Sequence, residues 1–193
     1  MSILKWALLF VSFLMISNEI CKAESESINQ ERLFRSISKA ELHLHLGGSY
    51  PLDFLLNLAS PSQAAKLIEN LELISQGISY QSVFQVFDII SQIVNTEEKV
   101  ESGTYALCRS LEADGVVYAE IRTGLKDFGD GLESYLKSVL KGIQRANSDR
   151  FKGYVLLSLQ RSSTAEFAKK TIDLALQYQD QGVIGIDISG DST

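Results

Sequence analysis

Apolar residues along the chain follow two alternating patterns. Short runs rich in β-branched and aromatic residues predict four strands, at residues 40–46, 116–122, 154–159 and 183–188. Between them, apolar positions recur every three or four residues and predict helices at 52–59, 63–73, 80–94, 97–113 and 132–146. A last helix, ending near Gly182, is predicted to begin with a capping box formed by Ser163 and Glu166.

Strands separated by helices pair in parallel through right-handed crossovers, so the chain is predicted to be α/β. Four such strands fit either a small open sheet or the first half of a (β/α)8 TIM-type barrel of about 250 residues. The last predicted strand has no helix after it, although a parallel sheet needs both faces covered. We therefore expect an incomplete barrel.

The N-terminus has the pattern of a targeting segment. Lys5 precedes eleven residues that are apolar except for one serine, which is shorter than the roughly 20 residues of a membrane-spanning helix. Cys21 and Ala23 provide small residues for cleavage. We predict a signal peptide at 1–23, a lead-in at 24–37, a barrel domain at 38–193, and export to the periplasm or medium. An uncleaved N-terminal anchor is the alternative.

Composition narrows the class of protein. The 193 residues include 24 acidic and 18 basic side chains, a net charge of −6, and 45% are hydrophobic. This excludes a disordered chain and argues against nucleic acid as a partner. After cleavage we expect no membrane association. Cys108 would then be the one remaining cysteine, predicted to be a core thiol.

Tyr80, Phe84 and Phe87 have helical spacing and are predicted to lie in the core, with a lid over a substrate as the alternative.

Two histidines are the candidate metal ligands of this sequence. His43 and His45 are two residues apart on the first predicted strand, so their side chains project to one face. Leu42, Leu44 and Leu46 then face the other way and are expected to pack under helices. Paired neutral imidazoles suit Zn²⁺, although two polar residues on a half-exposed strand would give the same pattern.

The sequence around these histidines resembles a known family. Residues 39–49 (KAELHLHLGGS), 118–123 (YAEIRT) and 185–191 (GIDISGD) are similar, in order, to three strand motifs of the adenosine deaminase family of metal-dependent amidohydrolases. The resemblance implies a barrel with a helical insertion after its first strand, which residues 52–113 supply. It also implies zinc-dependent hydrolytic deamination of adenosine, or a related aminopurine nucleoside, to inosine and ammonia.

Site roles follow from the resemblance position by position. It makes His43 and His45 zinc ligands, and it places His45, Gly47 and Gly190 at the purine nucleoside. The family usually has an acidic or amide side chain where this chain has Gly47, which suggests a different aminopurine as the alternative substrate. The family's third zinc histidine, its general-acid glutamate and its later aspartates would all lie beyond residue 193.

We therefore expect the 193-residue chain to be inactive alone. The alternative is a non-catalytic half-barrel that serves as a binding or assembly module and self-associates through exposed strand edges.

Four further side chains are predicted to support the site. Glu120 and Arg122 share a face of the second strand and are expected to form an ion pair on the barrel wall. Asp187 is expected on the inner face of the fourth strand as a hydrogen-bond acceptor. Glu41 shares the face of His43 and is expected to form a pair in the barrel floor.

Overall fold

The computed structural model describes residue 30 and residues 32–77 and 80–190, except for the side chains of residues 80–82. The predicted signal peptide lies outside these residues. Within them, no helix is both long and apolar enough to cross a membrane. The chain divides into two units, Met1–Ser38 and Lys39–Thr193. In the first unit residues 32–36 are helical, and the second unit contains everything discussed below.

The second unit is built on one sheet of four parallel strands in the order β1-β2-β3-β4. The strands are β1 (Lys39–His45), β2 (Val116–Thr123), β3 (Lys152–Gln160) and β4 (Val183–Ser189). The helices are α1 (Leu52–Leu58), α2 (Pro61–Ser75), α3 (Tyr80–Ile93), α4 (Glu97–Ala113), α5 (Leu132–Ala146) and α6 (Ala165–Gln177). All four strands and the helical insertion between β1 and β2 confirm the predicted α/β half-barrel.

The sheet has an outer face packed on helices and an inner face that carries the polar side chains. On β2 the outer residues Ala119, Ile121 and Thr123 are buried, whereas Glu120 and Arg122 on the inner face are half-buried. Helix α5 buries one continuous stripe against this layer and α4, formed by Tyr135, Leu136, Val139, Leu140, Gly142, Ile143 and Ala146. Burial of alternate strand positions under helices is what places Glu120 and Arg122 on the opposite, functional face.

The predicted start of the last helix was wrong. Thr164, not Ser163, caps α6, and its hydroxyl accepts a hydrogen bond from the N–H of Phe167 at 3.2 Å. The residue three positions after the cap is therefore Phe167, which has no carboxylate to complete a capping box. Helix α6 ends at Gln177, and a short 3-10 turn leads to Gly182, whose φ of 116° reverses the chain into β4.

Two predictions about apolar side chains were also wrong. Leu42 is 54% exposed, because β1 is an edge strand that the helices cover less completely than β2 and β3, whereas Leu46 is fully buried. Phe84 and Phe87 are 53% and 42% exposed, so this face of α3 does not belong to the core. The predicted core thiol is confirmed: Cys108 is fully buried on α4.

The outer face of the other edge strand, β4, is apolar and exposed. Ile184, Ile186 and Ile188 alternate along β4 and are all exposed, Ile188 by 66%. Beside them, Ile172 and Leu176 of α6 line a cleft of about 330 Å³. In a closed sheet, another strand or a helix would cover such a surface of an edge strand.

Candidate functional site

His43 and His45 lie at the carboxyl end of β1, the end at which barrels of this type build their sites. Their ring centroids are 5.4 Å apart and the rings are tilted by 49°. Both side chains are exposed, and no described residue forms a hydrogen bond with their ring nitrogens. The two imidazoles are therefore on one face, as predicted, and their nitrogens are available to a ligand.

The spacing of the rings suits a tetrahedral zinc ion. Zinc binds a histidine nitrogen at about 2.0–2.1 Å, so two rings that share one ion have centroids about 5 Å apart. Two ligands do not make a centre by themselves. Within the described part of the chain, no group of three His, Cys, Asp or Glu side chains is placed to hold a metal.

The backbone that carries His43 is irregular. The pairing of β1 with β2 shifts register between Glu41 and Leu44. The N–H of His43 donates a hydrogen bond to Glu41 Oε1 at 2.9 Å, and Arg122 Nη1 donates to the carbonyl oxygen of Leu42 at 2.5 Å. Glu41 was expected to form a pair with another side chain, but its partner is the backbone of its own strand.

Arg122 does not pair with Glu120, which corrects the sequence-based prediction. Its Nε lies 3.5 Å from Oδ1 of Asp187 on β4, and Asp187 Oδ2 accepts a hydrogen bond from Ser158 of β3 at 3.3 Å. Glu120 instead accepts a hydrogen bond from Tyr118 at 3.0 Å, further toward the amino end of β2. The structure thus brings Arg122 and Asp187 together beside the histidine strand and places Glu120 apart from them.

The glycines predicted at the substrate differ in their surroundings. A Cβ on Gly47 would have no atom within 4 Å, so the space beside His45 is open. The adjacent Gly48 lies against Phe87, where a Cβ would be 2.6 Å from the ring atom Cε1. Gly190 has a φ of 107°, a conformation that favours glycine, and it ends β4 next to the backbone N of Arg161.

A cavity that the sequence did not indicate opens at the carboxyl ends of β2 and β3. It has a volume of about 390 Å³ and is lined by Gly124, Leu125, Ser158, Gln160, Ser163, Thr164 and Phe167. Two residues after Gly124, burial lowers the pKa of Lys126. Among the described residues, Lys126 has no hydrogen-bond or ion-pair partner. The lining residues come from three segments of the chain that the parallel pairing of β2 and β3 brings together, which explains why residue spacing did not reveal them.

Comparison with known proteins connects this geometry to a family. The family model described as adenosine deaminase matches residues 38–193. The chain is 31% identical over 175 residues to the N6-methyl-AMP deaminase-L of Xenopus laevis, covering 84% of this chain and 49% of that protein. It is 32% identical over 186 residues to the N6-mAMP deaminase of Arabidopsis thaliana, covering 81% and 52%.

A solved structure agrees with these matches. The crystal structure of Arabidopsis ADAL complexed with IMP superposes with a TM-score of 0.70 at 29% identity, covering 83% of this chain and 52% of that one. The chain spans about half the length of the curated relatives it matches. The described sheet corresponds to half of an adenosine deaminase-type barrel.

Proposed function

The chain belongs to the adenosine deaminase family, and from that premise we propose that His43 and His45 are two zinc ligands of a hydrolytic aminopurine deaminase. The observation that carries the proposal is the 5.4 Å separation of their exposed rings at the carboxyl end of β1. Zinc held there would lower the pKa of a bound water, which supplies hydroxide near neutral pH.

The residues of this chain account for metal binding and for the approach of the purine. His43 and His45 hold the metal through neutral ring nitrogens, and Gly190 lets a purine approach the backbone at the end of β4. Deamination to inosine and ammonia also needs a base for the water proton and an acid for a ring nitrogen. The family resemblance assigns no residue among 1–193 to these two roles. We therefore propose that the 193-residue chain binds zinc but does not deaminate adenosine alone.

Metal titration of the full 193-residue chain tests this proposal. We expect Zn²⁺ binding by calorimetry that is lost in His43→Ala and in His45→Ala, because two histidines are all that the sequence contains. Asp173→Asn on α6 is the matched control and should bind zinc as the wild type does. Binding that survives both histidine variants would refute the metal assignment. Zinc-dependent release of ammonia from adenosine, lost in His43→Ala, would refute the proposed inactivity.

A purine nucleoside 5′-monophosphate is a second candidate substrate. The open space at Gly47 leaves room beside His45 for a group larger than a hydroxyl, and glycine itself brings no carboxylate that would repel a phosphate. Lys126, at the same end of the sheet, is a cation without a described carboxylate partner. The relatives named N6-methyl-AMP deaminases and the IMP complex support the same substrate class.

Calorimetry with IMP and inosine distinguishes the two candidates. If the substrate is a nucleotide, IMP should bind more tightly than inosine, and Lys126→Met should remove the difference. Lys152→Met is the control, because Lys152 is exposed at the opposite end of β3. Equal binding of IMP and inosine to the wild type would favour the nucleoside.

We also propose export and self-association for this chain. Cleavage after Ala23 would be detected by mass spectrometry of the exported protein.

The exposed Ile184, Ile186 and Ile188 on β4, with Leu42 on β1, favour pairing of two copies through their strand edges. Light scattering should then show a dimer that Ile188→Lys weakens, whereas a monomer at all concentrations would contradict the proposal.

A further inference from the structure

One peptide group, which joins Leu42 to His43, is held at both of its polar atoms by side chains. Its carbonyl oxygen accepts a hydrogen bond from Arg122 Nη1 at 2.5 Å, and its N–H donates to Glu41 Oε1 at 2.9 Å. We propose that Arg122 and Glu41 are positioning residues that orient His43 toward His45. The inference rests on the proposed role of the two histidines as zinc ligands.

The need for such a clamp comes from the irregular pairing of β1. Between Glu41 and Leu44 the register with β2 shifts, so the regular ladder does not fix the intervening peptide. Backbone N–H and C=O groups still require partners, and a charged partner forms a stronger hydrogen bond than a neutral one. The Arg122 guanidinium on the carbonyl oxygen and the Glu41 carboxylate on the N–H therefore take the place of the missing strand-to-strand hydrogen bonds. They do so at His43, the residue whose side chain must point toward the metal.

Arg122 is itself held in place. Its side chain is 12% exposed, its Nε faces Asp187 of β4 at 3.5 Å, and Asp187 accepts a hydrogen bond from Ser158 of β3. The guanidinium thus contacts β1 through Nη1 and faces the carboxylate of β4 through Nε, which is buried and has no hydrogen-bond partner among the described residues. A lysine ammonium is a single point and lacks the planar fork that makes both contacts at once. Substitution by lysine should keep the charge and lose the positioning.

Removal of a side chain that hydrogen-bonds to a metal ligand, or orients it, typically weakens metal binding by about 10- to 100-fold. We expect Glu41→Ala and Arg122→Met to weaken Co²⁺ binding by about this factor, measured from cobalt absorption in the full 193-residue chain. Glu41→Gln should rescue affinity, because its amide oxygen can accept the same N–H without a charge. Arg122→Lys should behave like Arg122→Met.

Glu101→Ala provides the matched control. Glu101 pairs with Lys141 and Arg145 in the helical layer, and its side chain is 17% exposed, comparable to the side chains of Arg122 and Asp187. Loss of this ion pair should lower thermal stability and leave cobalt affinity unchanged. Cobalt affinities of Glu41→Ala and Arg122→Met that equal the wild type would overturn the positioning role. Equal losses in Glu41→Gln and Glu41→Ala would also overturn it.

A metal-free measurement separates this inference from the proposed function. In the folded chain without metal, the His43 and His45 rings should give a mutual nuclear Overhauser effect, as expected at a centroid separation of 5.4 Å. The effect should disappear in Glu41→Ala and persist in Glu41→Gln. If the wild type binds no zinc or cobalt, the proposed function fails, and this ring contact alone decides the inference. A contact that persists in Glu41→Ala and Arg122→Met refutes it.

Discussion

Arg122 on β2 and Asp187 on β4 contact each other across the intervening strand β3, with Nε and Oδ1 3.5 Å apart. Neighbouring strands are about 4.8 Å apart, so a contact across an intervening strand needs at least one long side chain on that face of the sheet, here Arg122. The pair links the strand that carries Gly190 to the strand beside the two histidines. It therefore connects the strand next to the predicted zinc ligands with the strand that leads to the predicted purine contact at Gly190.

Removal of Asp187 should destabilise the fold. A half-buried guanidinium without its carboxylate keeps its desolvation cost, so Asp187→Ala should lower the free energy of unfolding by about 1–3 kcal/mol. Urea denaturation measures the change. The double variant with Arg122→Met should lose less than the sum of the single losses, because both substitutions remove one shared contact. Full additivity would show that the two side chains act independently.

Gly142 should not tolerate alanine. A Cβ there would lie 2.6 Å from the backbone oxygen of Glu101 and 2.8 Å from Cβ of Thr104, where α5 crosses α4 closely. This overlap should cost about 1–3 kcal/mol and exceed the gain of about 1 kcal/mol that alanine brings to a helix. Urea denaturation of Gly142→Ala should therefore show a net loss. Gly47→Ala, where the Cβ meets nothing within 4 Å, should unfold close to the wild type.

Cys108 should be chemically silent in the native protein. Burial raises the pKa of its thiol to about 12, so almost no thiolate exists at pH 8. In a Cys21→Ser background, iodoacetamide should leave the folded chain unmodified and alkylate it in urea, as measured by mass spectrometry. Rapid labelling of the folded chain would contradict the fully buried position of Cys108 on α4.

The fold should lose a small part of its stability in acid through Glu101. A hydrogen bond from Lys141, assisted by Arg145, holds the pKa of this carboxyl below its usual range. Because the folded pKa is the lower one, this contribution is present above the unfolded pKa of about 4.3 and disappears as pH falls through the folded value. It should amount to at most about 1 kcal/mol, since the partners Lys141 and Arg145 are exposed and ion pairs at the surface contribute little.

Urea unfolding at pH 6, 4 and 3 measures this contribution. Glu101→Gln should be less stable than the wild type at pH 6 and should approach it at pH 3. The lowered pKa values of Asp127 and Glu133 affect both proteins alike and cancel in the comparison. A stability difference that does not depend on pH would exclude the ion pair as its cause.

Hydrophobic periodicity predicted the elements well because helices such as α5 and the central strand β2 bury one face. The helix at residues 132–146 was predicted with its observed bounds, since seven of its residues form one buried stripe. Periodicity failed for Phe84 and Phe87, which have the spacing of a core helix but lie on an exposed face of α3. Spacing shows that residues share a face, and it does not show what covers that face.

The sequence alone determined the parallel pairing of the strands and the face shared by His43 and His45, because the first depends on the helices between successive strands and the second on spacing within one strand. The family motifs around these residues are also a property of the sequence. Only the tertiary structure decided that Arg122 pairs with Asp187 rather than Glu120, and that it reaches the carbonyl of Leu42. Those contacts join residues 65 and 80 positions apart in the sequence. Strand register and a shift in the pairing of β1 create them, and neither can be read from the spacing of residues within one strand.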